Sequence, residues 1–280
     1  LQTSAKYRSL STGLPYLEQM KARLAALPGV SQVGLIGHLP MSGSSWTIPV
    51  SRADRPPPAG TEPPQVGWRF IDGDYFGAMG IPVRHGRPFA SADGTSSARV
   101  AIVNETFARR YFEDPGGAVG GRIVQHGGGS EKLEVLEIVG VAGDVRHRGL
   151  DQQPVPEIFR PLAQTFMFPM AVVLRTAGQP EQLAAAARQA AFEIDPVVPV
   201  AELQPYKTMI AGTLGRPRLL GFLLTVFAAA GLALGLVGVY GVVAYRLRQR
   251  EREIGIRLAL GAAPAKVATG VVVQGLGYAL

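Results

Sequence analysis

A histidine beside a run of glycines is one pattern in this sequence that could do chemistry. His126 precedes the glycines at 127–129, the order in which some esterases build an oxyanion-binding loop. A hydrolase of that kind also needs a nucleophilic serine in a G-x-S-x-G turn, and the 280-residue sequence contains no such turn. The sequence therefore predicts an ordinary turn at His126.

Two aspartates one residue apart are a second pattern of this kind. Asp72 and Asp74 stand in the stretch DGDYF and could act as paired acid–base carboxylates. Aspartate and glycine are also the residues that form turns and begin helices. A turn and a helix cap are the better interpretation of this stretch.

Other kinds of site find little support in the sequence. The four histidines, at 38, 85, 126 and 147, are scattered without an H-E-x-x-H motif, which favours structural or surface roles over metal binding. The absence of cysteine excludes disulfides, thiolate nucleophiles and cysteine-ligated zinc. No G-x-x-x-x-G-K-[ST] loop for nucleotide phosphates occurs. We therefore expect no catalytic residues, no metal and no cofactor.

The elements that would position any site are a mixture of helices and strands up to about residue 215. Periodic apolar residues predict helices in GLPYLEQMKARLAALPG and QPEQLAAAARQAAFEIDP, and Asn104 is a candidate N-cap for a helix in ETFARRYF. Apolar runs predict strands in VSQVGLIGHLP, VAIVN, EIVGVAGDV and VPVAEL. QHGGGSE is expected to be a hairpin turn and the proline-rich stretch 52–65 a loop.

Positive charge is concentrated near the C-terminal end. The formal charge is +7, but from residue 1 to 215 the 20 basic residues nearly balance the 19 acidic ones. The remaining eight basic residues and two acidic residues flank an apolar segment. Basic residues in this position are typical of a membrane edge, and we expect no nucleic-acid partner.

The apolar segment predicts a transmembrane helix. Between Arg218 and Arg246 lie 27 residues without a charge, and about 20 helical residues span a bilayer. Six basic residues follow the segment and two precede it, which places its C-terminal side in the cytoplasm. A strip of small residues at helical spacing would allow another helix to pack closely: Ala228, Gly231, Gly235 and Gly238.

Several segments together carry a family resemblance. WRFIDGDYFGAMGIPVRHGRPFASADG, VAIVNETFARRYF, EIVGVAGDVRHRGL, PEIFRPLAQ and REIGIRLALGA resemble the FtsX-like ABC transporter permease family with a MacB-like periplasmic core domain. The resemblance runs over nearly the whole chain and is closest to the duplicated, ATPase-free permeases of the ADOP type.

The resemblance implies a fold and a domain order. The fold would be an α+β extracytoplasmic domain, with a porter-like α/β part and an inserted β-rich sabre-like part, plus transmembrane α-helices. Residues 1–215 would be the periplasmic core domain and 216–246 the transmembrane helix. Residues 247–266 would form a cytoplasmic coupling loop, and 267–280 the start of a further span. We expect the sequence to be a piece of a longer protein in the bacterial inner membrane.

The resemblance also implies a function without catalysis. Such a permease relays the ATP-driven motion of a separate ABC ATPase to its periplasmic domain, which is called mechanotransmission. The implied partners are that ATPase, a second permease unit in a homodimer or pseudo-dimer, membrane lipid, and periplasmic or outer-membrane proteins. The residues expected to couple the loop to the ATPase are Glu251, Glu253, Ile254, Gly255, Arg257, Ala259 and Gly261.

The loop's own sequence agrees with a coupling role. If residues 247–260 are helical, Glu253 and Arg257 form an i, i+4 ion pair in the favourable order, and Gly261 is a suitable helix end. A solvated charge run that only fixes topology is the alternative interpretation.

A membrane-bound sensor, such as a histidine kinase or chemoreceptor, is the alternative function. About 20 residues separate the two apolar runs, which leaves no room there for a signalling domain. That spacing favours the permease.

Overall fold

The structure is a computed structural model that describes residues 7, 9–43, 45–127, 133–147, 149, 152–165, 170–200, 203–213, 215–249, 255–256, 259 and 261. It gives only the backbone of residues 212–213, 215–220 and 246–247. The chain divides into two compact units, Leu1–Thr213 and Leu214–Leu280.

The first helix, α1, spans Leu10–Ala25 and confirms the helix predicted from its apolar spacing. Leu17, Met20 and Leu24 recur on one face and are buried. The chain leaves the helix through Gly29, whose φ of +87° lies in the left-handed region that glycine tolerates best.

The other elements follow in chain order. They are β1 (Val30–Ile36), β2 (Thr47–Arg52), β3 (Gln65–Ile71), α2 (Tyr75–Met79), β4 (Val83–Gly86), β5 (Val100–Asn104), α3 (Glu105–Phe112), a 3-10 turn (Gly116–Ala118), β6 (Arg122–Gln125), β7 (Glu134–Ala142), β8 (Glu157–Pro161), β9 (Ala171–Thr176), α4 (Pro180–Ile194), α5 (Tyr206–Thr213) and α6 (Gly215–Gln249).

The nine strands found in the described residues all belong to one mixed sheet. Its order is β2-β6-β7-β5-β8-β3-β1-β9, and β4 pairs with β7. β2 also pairs with β3, so the six strands from β2 to β3 form a closed circuit of pairings. The predicted α+β fold class is confirmed, and its β-rich part, built from β2, β6 and the start of β7, is continuous with the main sheet.

Strand β7 takes part in both regions of the sheet. Its residues 134–137 pair antiparallel with β6, and its residues 137–142 pair parallel with β5. At nine residues it is the longest of the described strands. It therefore runs without a break from the β-rich part into the main sheet.

The sheet is buried on both faces. Trp68 and Phe70 of β3 face one apolar cluster together with α1 and α4, whereas Ile71 faces a second cluster with Tyr75 and Phe76 of α2. Successive side chains on a strand point to opposite faces, which explains this division. β3 and β8 are parallel neighbours in the middle of the sheet and are almost entirely buried.

Asn104 caps α3, as the sequence predicts. Its Oδ1 accepts hydrogen bonds from the backbone N–H groups of Phe107 and Glu157, each at 2.9 Å, and its Nδ2 donates to the carbonyl of Val155 at 2.8 Å. One side chain therefore begins the helix and ties it to β8.

The sequence predicts a strand in VPVAEL, residues 198–203. This prediction is wrong for residues 198–200 and 203, which the structure describes as irregular backbone. Pro199 and Pro205 have no N–H group to give to a strand ladder. Val198 is buried in the apolar cluster of α1 and α4 instead. Burial of these valines therefore comes from helix packing and not from sheet formation.

The second unit contains the long helix α6. Within it, Gly221–Tyr245 has a mean hydropathy of 2.4 over its most apolar window, and none of that window is buried. By length and composition this helix can cross a membrane.

Candidate functional site

His126, where the sequence predicts a turn, follows β6 and connects it to β2 by hydrogen bonds. The His126 Nε2 atom lies 2.7 Å from Oγ of Ser51 on β2, and its backbone N–H donates to the carbonyl of Pro49 at 2.9 Å. The next residue, Gly127, has a φ of +81°, as a turn requires. In the described part of the chain no carboxylate is hydrogen-bonded to the His126 ring, so the pair lacks the third group that orients a catalytic histidine.

The two aspartates of DGDYF are held by a lysine. Lys21 of α1 donates hydrogen bonds to both Asp72 and Asp74, and Asp72 also accepts one from the N–H of Leu35 at 2.8 Å. Burial raises the pKa of Asp72, and the bond to Lys21 opposes this rise. Burial lowers the pKa of Lys21, but its two carboxylate partners outweigh that effect and the net shift is upward. The predicted turn and helix start are present at α2, although the Asp74 side chain pairs with Lys21 and does not cap the helix.

A buried group of charges lies between β3 and β8. The Arg69 Nη2 atom donates to Oε1 of Glu157 at 3.0 Å, and both side chains are almost fully buried. The Nδ1 atom of His147 lies 2.7 Å from the other oxygen of Glu157, which is ion-pair distance without hydrogen-bond direction. We call Arg69, His147 and Glu157 the buried charge cluster.

Several polar atoms of this region are not satisfied. Among the described residues, Arg69 Nε, His147 Nε2 and the hydroxyl of Tyr75 are buried and have no hydrogen-bond partner. Burial raises the pKa of Tyr75, and the neighbouring Tyr206 and Glu157 add to the rise. Burial, followed by the positive charge of Arg69, lowers the pKa of His38 nearby. The cluster is therefore a costly arrangement, because most buried polar groups in proteins are paired.

A second buried arginine lies on the opposite face of β8. The Arg160 Nη1 atom donates to Glu134 at 2.9 Å and to Gln125 at 3.2 Å, and its guanidinium lies 5.5 Å from the Trp68 ring centroid. These contacts join β8 to the β6–β7 hairpin. Arg160 therefore fastens the β-rich part to the main sheet.

The motif search missed both arginines, although the sequence carries a signal for them. Arg69 stands in the apolar run VGWRFI and Arg160 in EIFRP. A charge in the middle of an otherwise apolar strand has to be paired when it is buried. Their partners Glu157 and Glu134 could not be identified, since they are distant in sequence.

None of these groups is a metal site. In the described residues no three histidine or acidic side chains come together in a way that could hold a metal ion. His38 and His147 lie near each other, whereas His85 is on β4 and His126 directly follows β6.

An apolar cavity of about 530 Å³ lies within the first unit. Its walls come from α1, β9, α4, the segment before α5, and α5 itself. Leu39 also lines it, as do Tyr206 and Met209 of α5. Helix α5 therefore lies over a cavity and is not packed tightly against the domain beneath it.

The predicted helix-packing residues lie on α6 and are exposed. Ala228, Gly231, Gly235 and Gly238 fall within the apolar segment. Apart from the backbone of α6 itself, no atom of the described residues comes within 4 Å of a side chain placed at any of the three glycines.

Most of the predicted coupling residues, Glu251, Glu253, Ile254 and Arg257, lie outside the described residues. Gly255 and Ala259 are helical, and Gly261 has a φ of +90°. A positive φ at a glycine is typical of the residue that follows a helix.

Two curated relatives match much of the chain. Pyoverdine export ATP-binding/permease protein PvdT of Pseudomonas fluorescens is 27% identical over 224 residues, which cover 71% of this chain and 32% of that protein. The protein of the same name from Pseudomonas syringae pv. tomato is 26% identical over 282 residues, which cover 93% of this chain and 40% of that protein. The chain thus spans less than half the length of the curated relatives it matches.

The periplasmic region of MacB from Actinobacillus actinomycetemcomitans is a similar solved structure, with a TM-score of 0.45 and 10% identity, covering 64% of this chain and 73% of that one. The model of one protein family, described as the MacB-like periplasmic core domain, matches residues 9–190. This match takes in more than half of the 280 residues. The chain therefore belongs to the MacB-like periplasmic core domain family.

Proposed function

We propose that this chain is the permease part of an ABC-type exporter or mechanotransmission complex in the bacterial inner membrane. One observation carries the proposal: a MacB-like periplasmic core domain is followed directly by a helix that can cross a membrane. The two curated relatives are named for pyoverdine export, which supports export as the direction of transport.

The proposed orientation follows from charge. Residues 1 to about 215 are periplasmic, 216–246 span the membrane, 247–266 form the cytoplasmic coupling loop, and 267–280 begin a further span. Six basic residues on the C-terminal side of the helix against two on the other support this orientation.

ATP hydrolysis is assigned to a partner. The relatives are named as ATP-binding/permease proteins, whereas these 280 residues contain no phosphate-binding loop motif. The coupling loop provides the contact with the ATPase. In the sequence, Glu253 and Arg257 have the i, i+4 spacing that favours an ion pair on a helix, and an amphipathic helix of this kind can dock on a partner. Motion of the ATPase passes through this loop to the membrane helix and the periplasmic domain.

A second permease unit is the proposed partner of α6. The strip from Ala228 to Gly238 lets two helix backbones approach closely, which is how small residues promote helix association in lipid. The large apolar side chains of α6 would then remain in contact with lipid.

Single-cysteine labelling tests the orientation, since the chain has no native cysteine. Ala59→Cys lies in the exposed proline-rich loop and Gln249→Cys at the exposed end of α6. We expect a membrane-impermeant maleimide to label Ala59→Cys in cells with a permeabilised outer membrane, and Gln249→Cys only after lysis. The opposite pattern would reverse the proposed topology.

Charge reversal tests the coupling. We expect Arg257→Glu and Glu253→Lys to weaken co-purification with the ABC ATPase of the neighbouring gene and to abolish stimulation of its ATP hydrolysis. Arg248→Glu makes the same change of charge in the same basic stretch, outside the ordered motif, and serves as the control. Equal binding and stimulation in all three variants would contradict the coupling role.

A further inference from the structure

Residues 37–43 form a strap that lies over the buried charge cluster. The strap is anchored at one end by Gly37, whose N–H donates to the carbonyl of Phe70 at 2.8 Å. In its middle, the N–H of Met41 donates to the carbonyl of His147 at 2.8 Å. The strap thus connects β3 directly to a member of the cluster.

The strap is held at a conformational cost. Met41 has a φ of +63°, in a region that residues with a side chain seldom adopt. Beyond the strap, Arg69 reaches the carbonyl of Trp46 and the hydroxyl of Ser45 only at 3.4 Å each. A residue held in a sparsely populated backbone region raises the free energy of the closed strap and so lowers the cost of opening it locally.

The cluster beneath the strap would gain from contact with water. Arg69 Nε, His147 Nε2 and the Tyr75 hydroxyl have no hydrogen-bond partner in the part of the chain that the structure describes. Opening would let water bind these atoms, which offsets part of the cost of opening. Hydration of these atoms therefore lowers the free-energy cost of opening the strap.

Helix α5 is the element that fastens the strap. The Tyr206 hydroxyl at its start donates to the carbonyl of Pro40 at 3.3 Å. Tyr206 and Leu39 both line the apolar cavity beneath α5, so this contact is made at the edge of a cavity and not in close-packed core. In sequence, α5 is the last element before the apolar helix α6.

We propose that α5 controls a latch, in which its position opens or closes the strap 37–43 over the buried charge cluster. Displacement of α5 breaks the Tyr206–Pro40 bond, the strap releases the carbonyl of His147, and Arg69 and His147 become hydrated. The latch thereby converts a movement of α5, the last element of the domain, into hydration of the buried charge cluster between β3 and β8.

Hydrogen–deuterium exchange of the full chain in lipid nanodiscs tests the latch. We expect Tyr206→Phe, which removes only the hydroxyl, to speed amide exchange in residues 37–43 about fivefold, the effect of losing one typical hydrogen bond. Exchange in α1 and β5 should not change. Tyr111→Phe removes the hydroxyl of a half-buried tyrosine on α3 and is the control.

The reciprocal variant tests the coupling from the other side. Met41→Pro removes the N–H that binds His147 and cannot adopt a positive φ, so the strap cannot close. Because coupling between two sites is reciprocal, exchange in α5 should then rise. Unchanged exchange in the strap of Tyr206→Phe, or in α5 of Met41→Pro, overturns the latch, and so does an equal rise throughout the domain. The test contains no ATPase, so its failure would leave the proposed function untouched.

Discussion

In the first unit, Arg69 and Arg160 are each no more than 1% exposed, whereas in α6 Phe227 and Leu234 are each 73% exposed. A domain in water buries apolar side chains and pairs any charge that it buries. A helix in lipid has no reason to hide its apolar side chains, because the surrounding hydrocarbon is equally apolar. The contrast indicates that the two units are adapted to different solvents.

Removing the partner of Arg69 should give the largest effect on this contrast. Glu157→Gln keeps an oxygen for the hydrogen bond but leaves the buried guanidinium without a counter-charge. We expect the free energy of unfolding to fall by about 3–5 kcal/mol. Thermal unfolding of the full chain in detergent, followed by tryptophan fluorescence, measures it.

An exposed ion pair provides the matched control. Glu193→Gln removes a carboxylate that pairs with Arg23 at the surface. Surface pairs contribute little, so the unfolding midpoint should stay the same. A similar loss of stability in both variants would show that the buried ion pair contributes no more to folding than a surface pair.

Placing a charge in α6 tests the other side of the comparison. Leu234→Arg puts a guanidinium near the middle of the apolar segment, where insertion into a bilayer becomes less favourable by about 3 kcal/mol. The fraction of chain that resists alkaline extraction from membranes should fall. Gln249→Arg, at the end of the helix, should leave it unchanged. Equal extraction of both variants would mean that α6 does not cross the membrane.

A bulky side chain on the small-residue strip should have a smaller effect. Gly235→Leu blocks the face that we propose for helix packing and should weaken association by about 1 kcal/mol, as measured by energy transfer between labelled chains in nanodiscs. Ala233→Leu adds a leucine on the opposite face of the helix and is the control. Equal association in both variants would remove the strip from the proposed interface.

Acid should have the smallest effect, at a partly exposed pair in the first unit. The hydrogen bond from Arg87 lowers the pKa of Asp93. A lowered folded pKa contributes stability that is present above about pH 4 and is lost as the pH falls through the folded value. Because Arg87 is half exposed, the contribution is below about 1 kcal/mol. The difference in melting temperature between the parent and Asp93→Asn should therefore shrink from pH 6 towards pH 3, and a constant difference would contradict this.

Local elements of the fold could be read from the sequence because their signals are local. The spacing of Leu17, Met20 and Leu24 predicted α1, and Asn104 predicted the start of α3. The uncharged segment before Arg246 predicted the long apolar helix in the same way. Each of these signals lies within one continuous stretch of sequence, from a single turn at Asn104 to the 27 uncharged residues of α6.

The arrangement of the domain could not be read in this way. Arg69 and Glu157 are 88 residues apart, and only the parallel pairing of β3 with β8 brings them together. The strap over the cluster depends on a further long-range contact, between Pro40 and Tyr206. Such contacts are set by topology, which a single sequence does not specify through local periodicity.

The unbroken course of β7 has a mechanical consequence. At Glu137, β7 pairs with β6 on one edge and with β5 on the other, so no flexible linker separates the hairpin from the main sheet. Arg160 of β8 binds Gln125 and Glu134, the pair nearest the hairpin turn, so the far end of the hairpin is also tied to the main sheet. A load applied at the turn of the hairpin is therefore shared between β7 and β8.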